Sequence, residues 1–436
     1  MLAAGLVLAM SLAAVYGWAL HRSRTAALPG TTPVAADMRQ SGIVLPFENN
    51  SGDPGQDGLA ESITNTVTDL IARSGDMPAV PEATAASYRG KPLDLHQIGR
   101  KFGVHFAIIG SAHRQEGHLI VSVAVYDIST GRSVFGRLLD RPDGPRAIAE
   151  IAQIIYESYW QMSLDVEVAY ALRTHPDHMD ARDLIMESRS TPLETLTKAH
   201  YLERASLVDR ALALDPDNLI GLEQRSRAHA EMILLGFSDD PKTDLAIARQ
   251  ASDRMMDIGP NKMMTLRARS KVLRAEGNWQ EAERVQRRVI NLQPTEGNRW
   301  LELGNILMAE GRHAEALASF ENAKAFAGGG DNVYLIDAWI ATAELAQGML
   351  PEAIGTAHLS LSEFPSHSGR LGEIPWLTLI AAEADSGQDS AAKTDLQAYL
   401  ATQRTWRSVE PVGKWPTLAT NRNLLDGLRK AGLPAE

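Results

Sequence analysis

The residues that could support catalysis do not form any of the common catalytic motifs in this sequence. The stretch from Arg89 to Pro92 lacks the first glycine and the hydroxyl residue of a phosphate-binding loop. HExxH, GxSxG and GxGxxG are absent as well. His175 and His178 could ligate a metal, but as flanks of Pro176-Asp177 they fit a polar loop better. The 436 residues include no cysteine, which excludes thiolate chemistry. We therefore expect no enzyme activity, no metal site and no cofactor.

Six polar side chains in the second half of the chain could form a recognition surface. They share helical spacing or a repeat interval, and they are Arg227, Arg267, Lys271, Arg274, Asn298 and Asn305. Guanidinium groups bind carboxylates through paired hydrogen bonds, so this set suits an acidic peptide or a chain end. A solvated charged helix face is the alternative. If the residues bind a partner, reversing Arg267 and Lys271 to Glu should abolish its capture without unfolding the chain.

A period of 34 residues places these side chains in helix pairs. One repeat is marked by Trp300, Leu303, Gly304, Leu307, Gly311, Ala316, Phe320 and Ala323. A weaker copy lies 34 residues earlier, and Pro260 and Pro294 end successive units. Between Pro216 and Pro260 the interval is 44 residues, which predicts an insertion of about ten residues near 236–243.

These signature positions resemble the tetratricopeptide repeat. The resemblance implies a solenoid of five to six helix pairs over residues 174–436, with a register shift at Gly328–Gly330 and a C-terminal capping helix at Leu424–Pro434. It also implies that the first helix of each pair lines a concave groove. The groove positions would then be Met264, Arg267, Lys271 and Arg274, followed by Asn298, Leu301, Asn305 and Met308.

Residues 41–173 have the pattern of a small α/β domain. Apolar runs at 43–47, 104–109 and 119–126 predict strands, and residues at helical spacing predict helices over 59–71, 94–103 and from 148 onward. A sheet covered by helices is by default a binding or structural scaffold.

Two segments of this region resemble the TolB N-terminal-like domain. They are Ile43–Pro54 (IVLPFENNSGDP) and Gly90–Ser111 (GKPLDLHQIGRKFGVHFAIIGS). In bacterial regulators this domain precedes tetratricopeptide repeats and accompanies class III adenylate cyclases or CadC-like winged-helix modules. We find no cyclase metal-binding carboxylates in this chain and expect no cyclase activity from it.

Residues Leu2–Leu20 carry no charged side chain and are followed by His21, Arg22 and Arg24. As a helix they would span about 28 Å, close to the thickness of a bilayer core. We predict a single-pass anchor at residues 1–20 in a bacterial inner membrane and a linker at 21–40, with the soluble part on either side, the periplasm included. A cleaved signal and a start site inside a longer protein are the alternatives.

The net charge of −11 argues against nucleic-acid binding by this chain. The fold class predicted is thus an α/β domain plus an all-α solenoid behind one transmembrane helix. We expect a non-catalytic, membrane-anchored scaffold or sensor that binds a protein or acidic peptide. The alternative is the regulatory C-terminal part of an adenylate cyclase or winged-helix regulator encoded upstream.

Overall fold

The computed structural model describes residues 41–74, 80–174, 180–189, 197–327, 333–363, 370–402 and 405–436. The predicted anchor and linker, the pair His175 and His178, and Gly328–Gly330 lie outside these ranges. Within them, no helix combines the length and the apolar composition needed to cross a bilayer.

A five-stranded mixed sheet forms the first part of the structure. Its strands are β1 (Gly42–Val44), β2 (Glu48–Asn49), β3 (Phe106–Gln115), β4 (His118–Asp127) and β5 (Arg132–Pro142). Both β1 and β2 pair in parallel with β3, whereas β3, β4 and β5 form an antiparallel meander. The helices here are α1 (Asp57–Ser74), α2 (Glu82–Ala85), α3 (Leu95–Phe102) and α4 (Ala147–Thr174).

The sheet has one face covered by α1 and α4. Alternate residues of β4, from Leu119 to Val125, are fully buried against these helices, as the period of two predicts. The predicted strand at 43–47 is shorter than expected, because Pro46 cannot donate a backbone hydrogen bond. Helix α3 has the predicted ends: Asp94 accepts a bond from the Gln97 amide, and Gly103 is left-handed at φ 65°.

The second part consists of six helix pairs among the described residues. The pairs are α5 (Ala181–Arg189) with α6 (Lys198–Leu214), α7 (Leu219–Leu234) with α8 (Pro241–Ile258), α9 (Met263–Ala275) with α10 (Trp279–Leu292), α11 (Gly297–Ala309) with α12 (His313–Phe326), α13 (Val333–Ala346) with α14 (Leu350–Glu363), and α15 (Ile374–Asp385) with α16 (Asp389–Ala401). Three short helices follow: α17 (Val409–Gly413), α18 (Pro416–Ala419) and α19 (Arg422–Ala431).

The predicted insertion is not confined to one loop. The extra residues of the second pair lengthen both helices, α7 and α8, as well as the loop between them. Gly236 in this loop has φ 65°, and a Cβ there would overlap the Arg370 guanidinium. The longer helices therefore bring this loop into contact with the segment before α15.

The two helices of a pair meet at small residues. A Cβ on Gly304 would overlap the Phe320 ring, so only glycine allows α11 and α12 this separation. Phe320 in turn stacks on Trp339 of the next pair, with 6.1 Å between ring centroids. The signature residues thus hold the pairs together in the way the repeat pattern predicts.

Helix α4 joins the sheet to the helix pairs. Tyr159 packs edge-on against Phe106 in the sheet, and its hydroxyl lies against Gly42. Further along the same helix, the Trp160 ring lies 4.8 Å below the Arg189 guanidinium at the end of α5. The sheet and the solenoid therefore share one continuous helix as their connection.

A charged face on the first helices of three pairs

Charged side chains from α7, α9 and α11 meet on one face of the solenoid. We call this surface the inner face, and its members are Glu223, Arg227 and Glu231 on α7, Arg267, Lys271 and Arg274 on α9, and Glu302 and Asn305 on α11. Arg267 lies 3.7 Å from Glu223. The structure thus brings together four of the six predicted residues and places Asn305 on the adjoining helix.

Lys271 lies at the centre of the inner face. Its ammonium group is 2.6 Å from a Glu231 oxygen and 3.0 Å from a Glu302 oxygen, and its side chain is 15% exposed. Burial by itself would raise the pKa of Glu231, but Lys271, Arg227 and Arg204 outweigh it and lower that pKa to about 2. Lys271 therefore holds two recessed carboxylates in their charged form.

This arrangement corrects one sequence-based expectation. With Glu at position 271, Glu231 and Glu302 would lose the ammonium group between them and gain a third carboxylate beside them, which is strongly destabilising in a recessed site. Reversing Lys271 is therefore expected to disturb the fold itself, and a different residue has to test partner binding.

Arg227 is part of a hydrogen-bonded network that reaches into the first pair. Gln224 accepts hydrogen bonds from both Arg227 and Arg204, and its own amide donates to Glu223 at 2.6 Å. Burial and then the nearby Arg227 lower the pKa of Arg204 to about 10. The network is therefore crowded with positive charge.

Arg274 is the exception among the cations. Among the residues that the structure describes, no carboxylate lies within 4.0 Å of its guanidinium, and its Nε is buried without a hydrogen-bond partner. Burial lowers the pKa of Arg274, and Glu302 and Glu231 only partly offset this. Binding of an anion would therefore stabilise this recessed and uncompensated guanidinium.

The two predicted amides lie in different environments. Asn305 donates from Nδ2 to the Leu301 carbonyl at 3.1 Å, while its Oδ1 is buried and without a partner in the described structure. Asn298 is exposed on the first turn of α11 and takes no part in the ion pairs described above. Asn305 therefore carries an unused acceptor on the helix that follows the α9–α10 pair, and Asn298 does not belong to the cluster.

The inner face has more positive than negative charge. Its four cations (Arg227, Arg267, Lys271 and Arg274) meet three carboxylates (Glu223, Glu231 and Glu302), and Arg204 of α6 adds a fifth positive charge beside them. The side chains of Arg227 and Arg267 are only 26% exposed. A fully solvated charged helix face, the alternative at the sequence level, does not describe side chains this recessed.

The three carboxylates were missed in the sequence, although a signal was present. Glu223, Arg227 and Glu231 recur every four residues and so share one face of α7. Glu302 directly follows Leu301, a predicted groove position. Because these carboxylates pair with the cations, the free positive charge of the inner face is smaller than the six predicted residues alone suggest.

The other titratable residues considered in the sequence lie away from the inner face. His105 and Asp127 approach to 3.8 Å beside the sheet, and Asp240 accepts bonds from Thr243 at the start of α8, as a capping residue does. In the part of the chain that the structure describes, no group of three or more His, Cys, Asp or Glu side chains could hold a metal ion.

A scan against protein-family models found no match. One curated relative is named "Putative adenylate cyclase 3" and comes from Rhizobium meliloti (strain 1021); it is 28% identical over 211 residues, which are 48% of this chain and 34% of the relative. This chain therefore spans about a third of the length of that protein.

Solved structures with helical repeats are also similar in part. A thermophilic TPR protein of Thermus thermophilus is 19% identical and covers 42% of this chain and 92% of its own, with a TM-score of 0.35. The Cut9–Hcn1 hetero-tetramer of the APC/C is 14% identical with coverages of 66% and 54% and a TM-score of 0.39. TolB from Acinetobacter baumannii is 16% identical with coverages of 31% and 29% and a TM-score of 0.22. The element order and the contacts described above show a solenoid of helix pairs that follows a small mixed sheet. The tetratricopeptide and TolB-like identities of these two parts stay predictions.

Proposed function

We propose that this chain is a non-catalytic interaction scaffold whose inner face binds an acidic segment of a partner protein. The observation that carries the proposal is the recessed guanidinium of Arg274, which has no anionic partner within 4.0 Å among the described residues. A carboxylate is the protein group that pairs with a guanidinium through two parallel hydrogen bonds.

The neighbouring groups support a peptide over a free ion. Asn305 on α11 has an unused acceptor, and a peptide supplies backbone N–H donors as well as a carboxylate. The excess of cations over carboxylates favours an acidic sequence and steers its approach. The helix pairs provide the rigid support that such a face needs.

Affinity purification of the full chain tests this proposal. A tag after Glu436 is used to compare the wild type with Arg274→Met and with the matched control Arg288→Met. Arg288 is an exposed cation on α10 of the same pair. We expect one set of proteins to co-purify with the wild type and the control, and to be lost with Arg274→Met. An unchanged set in the Arg274→Met sample would contradict the proposal.

A second candidate is a regulatory segment of an adenylate cyclase. The name of the curated relative and its greater length favour it. Reading the genomic sequence in frame upstream of Met1 tests this candidate. A cyclase domain there would support it, and a stop codon there would exclude a fusion of this kind.

Attachment to the bacterial inner membrane through residues 1–20 is likewise a proposal that rests on the sequence. Fractionation of cells that express the full chain tests it, with reporter fusions after Glu436 to assign the side. Recovery of the whole chain in the soluble fraction would contradict the proposed attachment.

A further inference from the structure

The end of the chain covers part of the same inner surface. Glycines Gly277, Gly311, Gly348 and Gly387 follow the first helix of four successive pairs at φ 74° to 80°. The residues three and six positions before each glycine can therefore be compared from pair to pair. In α9 and α11 they include Lys271 and Asn305, which face the charged cluster.

In the last two pairs the equivalent residues are fully covered. Thr342 and Leu345 on α13 are 0% exposed, and Ala381 and Ala384 on α15 are 0% and 1% exposed. The covering residues belong to residues 415–433, which we call the C-terminal segment. A Cβ on Gly427 of α19 would lie 2.6 Å from the Ala381 carbonyl, so the two helices are in close contact.

Hydrogen bonds fix the C-terminal segment at these positions. Asn421 donates to the Thr342 carbonyl at 2.9 Å, and Asn423 donates to the Leu345 carbonyl at 2.8 Å. The Lys430 ammonium donates to the Ala384 carbonyl in the same way. At the near end, Thr420 donates to the carbonyl of Met308, the last groove position of α11.

The segment is also part of the hydrophobic core. Leu418, Leu424 and Leu428 are at most 1% exposed, and Trp415 packs edge-on against Trp339 at 6.3 Å. The chain that leads into the segment is held by Glu373, which accepts hydrogen bonds from the Thr405 and Trp406 amides. The predicted capping helix therefore lies along the first helices of the last pairs and is packed as firmly as the pairs themselves.

At the other side of the inner face, Leu184, Met186 and Ser188 on α5 are at most 2% exposed, and Arg189 lies against the Trp160 ring of α4. Among the described residues, the open part of the inner face is therefore limited to α7, α9 and α11. Adjacent helices pack about 8–10 Å apart, so α7 to α11 spans about 16–20 Å. An extended peptide advances about 3.3 Å per residue. About five or six peptide residues therefore span this distance. With one further residue in contact at each end, the bound segment has about eight residues at most.

We propose that residues 415–433 permanently occupy the α13 and α15 part of the inner face, so that the partner contributes an acidic segment of no more than about eight residues across α7, α9 and α11. This inference rests on the proposed function, since it specifies the length and the position of the segment bound by the same face.

Fluorescence anisotropy with labelled oligoglutamates of about four, eight and twelve residues tests the length on the full chain. Binding should tighten at least tenfold from four to eight residues. From eight to twelve residues the affinity should increase no more than about fivefold. This is the statistical factor that arises because an eight-residue site can bind a twelve-residue peptide in five registers. A further tenfold gain at twelve residues would overturn the inference.

Hydrogen exchange with the eight-residue probe tests the position. Protection should increase in α7, α9 and α11, and residues 415–433 should exchange equally slowly with and without the probe. Faster exchange of 415–433, with new protection in α13 and α15, would show displacement and overturn the inference while leaving the proposed function intact. No binding of any oligoglutamate would overturn both.

Discussion

Two neighbouring cations on α9 should respond in opposite ways to the same substitution. Lys271→Met leaves Glu231 and Glu302 without the ammonium group that lies 2.6 and 3.0 Å from them. Removing one partner of a fully buried ion pair costs about 3–5 kcal/mol. Because these two carboxylates retain 16% and 19% exposure, we expect a loss of about 3 kcal/mol in the free energy of unfolding.

Arg274→Met removes a recessed charge that has no carboxylate within 4.0 Å in the described structure. Methionine fills a similar volume without the cost of burying a guanidinium. We therefore expect the variant to be as stable as the wild type or up to about 2 kcal/mol more stable.

Urea unfolding followed by far-UV circular dichroism measures both effects, with Arg288→Met as the exposed control. The control should stay within about 0.5 kcal/mol of the wild type. The reasoning would be refuted if Arg274→Met lost as much stability as Lys271→Met, because Arg274 would then be a structural residue and not an unsatisfied binding group.

Two further predictions concern packing and pH. Gly304→Ala should lower the free energy of unfolding by about 1–3 kcal/mol, because its methyl group would overlap the Phe320 ring. Gly355 is a helical glycine with open space around it, so Gly355→Ala should raise the free energy of unfolding by about 0.5–1 kcal/mol. Equal effects of the two substitutions in urea unfolding would contradict this. Burial, followed by the charge of Glu296, raises the pKa of Glu157 from 4.5 to about 7. The protonated Glu157 side chain contributes fully to the free energy of unfolding below pH 4.5, and this contribution is lost as the pH rises through 7. The loss is on the order of 2 kcal/mol. Glu157→Gln should therefore gain stability over the wild type between pH 5 and pH 8, and a constant difference would contradict the assignment.

The sequence predicted the elements well where local chemistry decides them. Asp94 and Gly103 delimit α3 as a capping residue and a left-handed glycine do in any protein, and the period of two in β4 directly encodes its buried side. Gly304 and Phe320 likewise mark a contact between helices that a repeat cannot form without them.

Features that depend on distant residues were not predictable from the sequence. The neutralisation of Lys271 by Glu231 and Glu302 joins three helices that are far apart in the chain. The C-terminal helix has the same sequence pattern whether it closes the end of a solenoid or lies along its inner side. The close approach of Gly427 to Ala381 and the hydrogen bonds of Asn421 and Asn423 to carbonyls of α13 distinguish the two arrangements.

The central claim is that Arg274 receives a carboxylate of the partner. Its most direct test is the dissociation constant of a labelled eight-residue oligoglutamate for the wild type, Arg274→Met and Arg288→Met at one salt concentration. A charge-assisted hydrogen-bonded pair contributes about 1.5–3 kcal/mol, so Arg274→Met should bind about 10- to 100-fold more weakly while the control binds like the wild type. Equal affinity of all three proteins would contradict the account.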